Sequence, residues 1–221
     1  MAEPTDTDSV ASFDTPTESI PVPRATSNRS TTPLSDVFKK YVSSNWAERA
    51  DVLPPLRKQA PFAAARRERL SRLYDGKRLV IPAGTLKQRS SDTDFPFRAH
   101  SSFAYLTGWG SDTEPGAILV LEPLPSSAGH EATLYFRERA GRDSEEFYSN
   151  PEIGEFWIGP RPSLAQISND LGIRTLGIAE LETVIAKTDE NTFVVCEADP
   201  DLTARFDAHR RVSASDADSD P

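Results

Sequence analysis

Apolar residues recur three and four apart in two early stretches. In 35–46, SDVFKKYVSSNW, Val37, Phe38, Tyr41 and Val42 fall at helical spacing and Ser35 stands where an N-cap belongs. The consecutive prolines of the following DVLPPLRKQAP stop that helix. The stretch 62–76, FAAARRERLSRLYDG, predicts a second helix. Phe62, Ala63, Ala65, Leu70 and Leu73 lie near one face, and Gly76 can supply a left-handed terminal turn. The pattern then changes to unbroken apolar runs. RLVIPAG (78–84), AILVLEP (117–123), ATLYFRE (132–138) and TFVVCEA (192–198) predict strands, the middle two joined by a loop with Pro125 and Gly129. SLAQISNDLG (163–172) and ELETVIAKT (180–188) predict helices. Apolar strands alternating with amphipathic helices imply an α/β fold with a sheet buried on both faces.

The ends read differently. Residues 1–34 hold 17 Ser, Thr or Pro and little that can be buried, so they are expected to be a disordered tail. Residues 35–59 form a helical extension and Pro-rich linker, 60–210 the domain, and 211–221 a second, acidic disordered tail. No internal repeat is present. The net charge of −9 argues against nucleic acid or an anionic membrane as a partner, although a local basic patch escapes an argument about averages. A single cysteine, Cys196, excludes an intrachain disulfide and suits a reducing cytoplasm. Its place in FVVC favours a buried, inert thiol over a nucleophile. No apolar segment approaches the roughly 20 residues that span a bilayer, and no secretory pattern opens the chain.

Candidate chemistry is sparse. The histidines are His100, His130 and His209, without HExxH or CxxC, which is a poor supply for a metal site. No GxSxG, GxxxxGK[ST] or GxGxxG occurs, and Gly108-Trp109-Gly110 reads as a turn. The unusual stretch is RSSDTDFPFRAHSSFAYLTGWG, residues 89–110. Arg89, Asp92 and Arg98 suit a buried or half-buried ion-pair network, because guanidinium forks bind carboxylates in pairs. Pro96 keeps Phe95 extended. Phe103 and Tyr105 alternate as in a half-buried strand, and Leu106 and Trp109 add apolar area. Spacing favours a rigid core segment over a polar rim facing a cavity.

This run resembles the N-terminal domain of aminopeptidase P, the Xaa-Pro aminopeptidases of the creatinase and prolidase type. The likeness rests on Arg89, Ser90, Asp92, Thr93, Phe95, Pro96, Phe97 and Arg98, then on Ser101, Phe103, Tyr105, Leu106, Thr107 and Gly108. Downstream, Arg142 and Asp143, then Trp157, Gly159 and Arg161, resemble the family's Arg-Asp and Trp-x-Gly-x-Arg segments. The interval between Asp143 and Trp157 is longer than in shorter family members. The resemblance covers roughly residues 60–205 and implies a mixed β-sheet flanked by helices in a ribonuclease-H-like arrangement.

The resemblance also implies a larger enzyme. Its catalytic domain, of pita-bread fold, holds two manganese ions through two Asp, one His and two Glu, and cleaves the bond before a penultimate proline. The N-terminal domain supplies oligomer contacts and part of the active-site entrance. None of the five ligands has a position in this sequence, so no catalytic, metal or cofactor residue is assigned, and the chain alone is expected to be inactive and truncated. The motif residues are expected to be scaffold or entrance rim. Expected partners are the catalytic domain or full-length aminopeptidase subunits, a second copy, and short Xaa-Pro peptides in the intact enzyme. Two other readings stay open: a stand-alone peptide- or protein-binding module, and an autonomous enzyme built on Arg89, Asp92 and Arg98. A domain that packs on a catalytic partner is expected to expose an apolar patch near Trp109 or Trp157.

Overall fold

The computed structural model of the protein describes residues 35–90, 93–125 and 128–217, with side chains to Arg211. The tail expected at 1–34 lies outside the described residues. The chain runs through α1 (Asp36–Ser43), α2 (Ala60–Leu73), β1 (Arg78–Pro82), β2 (Gln88–Ser90), β3 (Thr93–Asp94) and α3 (Ser101–Thr107). It continues through β4 (Ile118–Pro123), β5 (His130–Phe136), α4 (Glu145–Ser149), α5 (Glu155–Ile158), α6 (Leu164–Leu171) and β6 (Arg174–Gly177). A 3-10 turn (Ile178–Leu181) leads into α7 (Glu182–Ile185), β7 (Thr192–Val194) and α8 (Pro200–Ala217).

The apolar runs become one mixed five-stranded sheet of order β6-β5-β4-β1-β7. β1 and β5 pair antiparallel with β4, while β7 and β6 add in parallel at the two edges. Alternate side chains of each strand serve opposite faces. Leu79, Ile81, Leu119, Leu121, Leu134 and Phe136 pack with Phe103 and Leu106 of α3, Trp109, and Ile167 and Leu171 of α6. Val80, Ile118, Val120 and Tyr135 pack on the other side with Leu181, Val184, Ile185, Leu202 and Phe206. The sheet is therefore covered on both faces, as the unbroken apolar runs imply.

Local detail departs from the sequence reading at several points. The second helix spans Ala60–Leu73, and its buried face is Ala60, Ala63, Arg67 and Ser71. Phe62 and Leu73, expected to be buried, are exposed. A small-residue face lets α2 come close to the turn at Gly108, where an added Cβ would lie 3.3 Å from Gln59 Cβ and 3.5 Å from Ala63 Cβ. Residues 101–107 form a helix rather than a strand. His100 caps it by accepting from the Ser102 amide, and Gly108 ends it in the left-handed region at φ 74°. Cys196 is exposed, because β7 ends at Val194 and the chain has left the sheet by then. β6 and α8 were not expected; α8 carries the backbone to Ala217, past position 211 where a tail was expected to begin.

Ahead of the domain, Ser35 caps α1 as expected, accepting from the Phe38 amide. Val42 and Phe38 of α1 pack with Phe147 and Tyr148 of α4, whereas Val37 and Tyr41 remain exposed.

Candidate functional site

The motif segment divides into an exposed hairpin and a helix seated in the core. β2 and β3 pair antiparallel, and Arg89, Ser90 and Thr93 on them are exposed. Arg98 is exposed as well, so Arg89 and Arg98 do not enter a buried network; Asp92 lies outside the described residues. Phe97 packs partly buried against the sheet, while Phe95 is exposed.

Around α3 the polar groups are committed to structure. Thr107 is fully buried; its Oγ1 donates to the Phe103 carbonyl at 2.8 Å and accepts from the Trp109 amide at 3.0 Å. Phe103, Trp109 and Phe136 form a run of ring contacts, with Trp109 edge-on to Phe136 at 5.4 Å. Trp109 is thus core and not an exposed contact. Arg67 reaches out of α2 to donate to the Leu106 carbonyl at 2.7 Å, and burial lowers its pKa. Tyr105 stands at the surface, half exposed. Arg66 lies over its ring at 4.3 Å and donates to its carbonyl at 3.0 Å. Stacking of this kind suits a planar guanidinium.

The second motif segment is a charge network that the sequence reading only half identified. Arg161 is buried; its Nε donates to the Glu138 carbonyl at 3.2 Å, and its Nη groups donate to the Ile153 carbonyl and the Glu146 carboxylate. Arg137 joins Glu146 at 3.1 Å. Glu155 is buried and accepts from the amides of Ala140 (2.7 Å) and Arg161 (2.9 Å), with Arg49 at 3.2 Å. Glu155, Glu146 and Arg49 were not singled out; the run Glu-Phe-Trp-Ile-Gly, with a lone acid ahead of aromatics, was the available signal. Gly159 turns the chain at φ 97°. Trp157 is about half exposed and donates Nε1 to the Tyr148 carbonyl at 2.8 Å. Asp143 is exposed, and Arg142 lies over the Trp46 ring at 5.3 Å. Glu114 sits beside this network; burial pushes its carboxyl up to about 7, opposed by Arg161 and reinforced by Glu155 and Asp112.

These groups do not compose a catalytic constellation. Arginines remain protonated and do not act as bases. Among the described residues no three His, Cys, Asp or Glu side chains converge. His100 is used as a helix cap, and His130 Nε2 donates to the Lys77 carbonyl at 2.6 Å. The described residues therefore do not fit a two-metal centre. Phe95, Arg98 and Tyr105 on the first segment, and Phe156 and Trp157 on the second, are exposed.

A family model described as aminopeptidase P, N-terminal domain, matches residues 63–195. Xaa-Pro aminopeptidase 2 of Streptomyces coelicolor is 38% identical over 192 residues, which are 85% of this chain and 39% of the relative. Xaa-Pro aminopeptidase 1 of the same organism is 44% identical over 149 residues, 67% of this chain and 29% of the relative. The chain thus spans well under half the length of these curated relatives. A solved structure of aminopeptidase P from E. coli matches the fold with a TM-score of 0.54 at 23% identity, covering 72% of this chain and 35% of that one.

Proposed function

Because the chain belongs to the aminopeptidase P family through its N-terminal domain, we propose that residues 60–210 serve as the scaffolding and entrance domain of an Xaa-Pro aminopeptidase. In this reading hydrolysis before a penultimate proline belongs to a catalytic domain carrying two manganese ions. The present domain supplies subunit contacts and one wall of the way in. Its partners are that catalytic domain or full-length subunits, a second copy, and short Xaa-Pro peptides at the entrance. The cytoplasm is the compartment that suits a lone, exposed cysteine.

The motif residues divide in a way that supports this reading. Thr107, Gly108, Gly159 and Arg161 hold turns and buried charge, whereas Phe95, Arg98, Tyr105 and Trp157 stand at the surface. Conformationally fixed, exposed aromatics are the side chains that interfaces use. Sedimentation of the chain alone and mixed with a full-length Xaa-Pro aminopeptidase is the test. Association is expected, weakened by Tyr105→Ala or Trp157→Ala with circular dichroism unchanged. A monomer at high concentration that does not join the longer enzyme contradicts the proposal. Tight binding of Xaa-Pro peptides without any longer subunit would mark a stand-alone binding module instead.

A further inference from the structure

Arg49, Arg139 and Arg142, with Ala140 and Gly141 between them, line a shallow, open cleft of about 370 Å³ on a chain that is acidic as a whole. The three guanidinium groups are not equally engaged. Arg49 is anchored by Glu155 at 3.2 Å and by the Ala140 carbonyl, also at 3.2 Å. Arg139 gives one nitrogen to Asp51 at 2.7 Å, and that carboxylate is itself largely in solvent. Arg142 donates Nη1 to the Ala47 carbonyl and stacks on Trp46, and its Nε is buried with no hydrogen-bond partner. An atom so enclosed is not itself a contact for a ligand, but Arg139 spends only Nη2 on Asp51 and keeps donors for an oxyanion in the cleft. Asp143 is a further acid nearby: its Oδ1 is 2.7 Å from where a Cβ on Gly141 would stand.

We propose that this cleft binds a small oxyanion, a carboxylate or phosphate group, held by Arg139 and Arg142 against the anchored Arg49. Guanidinium forks match both oxyanions, and the cleft has room for one such group with its water. The site is made half by the extension, through Arg49 with the Trp46 ring and Ala47 carbonyl that hold Arg142, and half by the 139–142 loop. The family match begins at residue 63, so Arg49 lies outside it. Bound anion ties the extension to the domain, and Trp46 reports it.

The test uses the whole 221-residue chain, with inorganic phosphate or succinate titrated at ionic strength held constant by chloride, since screening alone moves surface charges. The readouts are melting temperature and tryptophan fluorescence. A saturable response beyond that of chloride is expected, and the tighter of the two probes identifies the oxyanion. Loss of one charged hydrogen bond in Arg139→Gln, or of the fork in Arg142→Lys, should weaken binding roughly tenfold. Asp143→Asn should tighten it, and Arg72→Gln, on an exposed pair of α2, should leave it unchanged. If Arg142→Lys fails to fold, Arg139→Gln decides alone. A response no larger than that of chloride, or one that Arg139→Gln leaves intact, overturns the proposal.

Discussion

Thr107 is fully buried although its side chain is polar, and its two hydrogen bonds are the reason. Thr107→Val keeps the shape but strands the Trp109 amide, and should cost about 1–3 kcal/mol in urea denaturation. Glu155→Ala removes the shared acceptor of two amides and Arg49 and should cost roughly 3 kcal/mol or more by the same measurement. Glu114 gives a pH dependence. Its folded pKa of about 7 is above the ordinary 4.5, so the folded protein binds the extra proton. Its contribution is fully present below pH 4.5 and is lost as pH rises through about 7. Stability measured from pH 4.5 to 7 should fall less steeply in Glu114→Gln than in the parent; equal slopes would refute the assignment. At this scale the sequence was hard to read. Motif likeness singled out Arg161, but its partners Glu155 and Glu146 lie in another part of the segment, and only folding brings them together.

Short elements were the least legible. In α3, Phe103 and Tyr105 are two apart and mimic a strand, yet His100 and Gly108 at its ends settle a helix of seven residues. Gly108→Ala forces an L side chain into φ 74° and against Gln59, so a loss of about 1 kcal/mol or more is expected from thermal denaturation. The buried face of α2 was misread because its packing surface is small and partly polar, with Arg67 serving as a donor into the core. β6 has only four residues, and α8 presents Leu202 and Phe206 among many polar positions, too sparse a stripe to stand out. By contrast α6 was fully legible. Ser163 and Gln166 close a capping box and Gly172 ends the helix. Ser163→Ala should therefore cost about 1 kcal/mol.

At the scale of the whole molecule, the sheet was readable because its central strands are buried on both faces, and unbroken apolar runs record that directly. Tyr105 and Trp157 stand at the surface, about half exposed. If residues 60–210 are the scaffolding domain proposed above, hydrolysis requires a further domain. The most direct measurement is hydrolysis of an Xaa-Pro peptide by the purified chain, with added Mn²⁺ and with a chelator, host peptidases excluded. No turnover is expected in either condition; chelator-sensitive release of the N-terminal residue would overturn the scaffold reading.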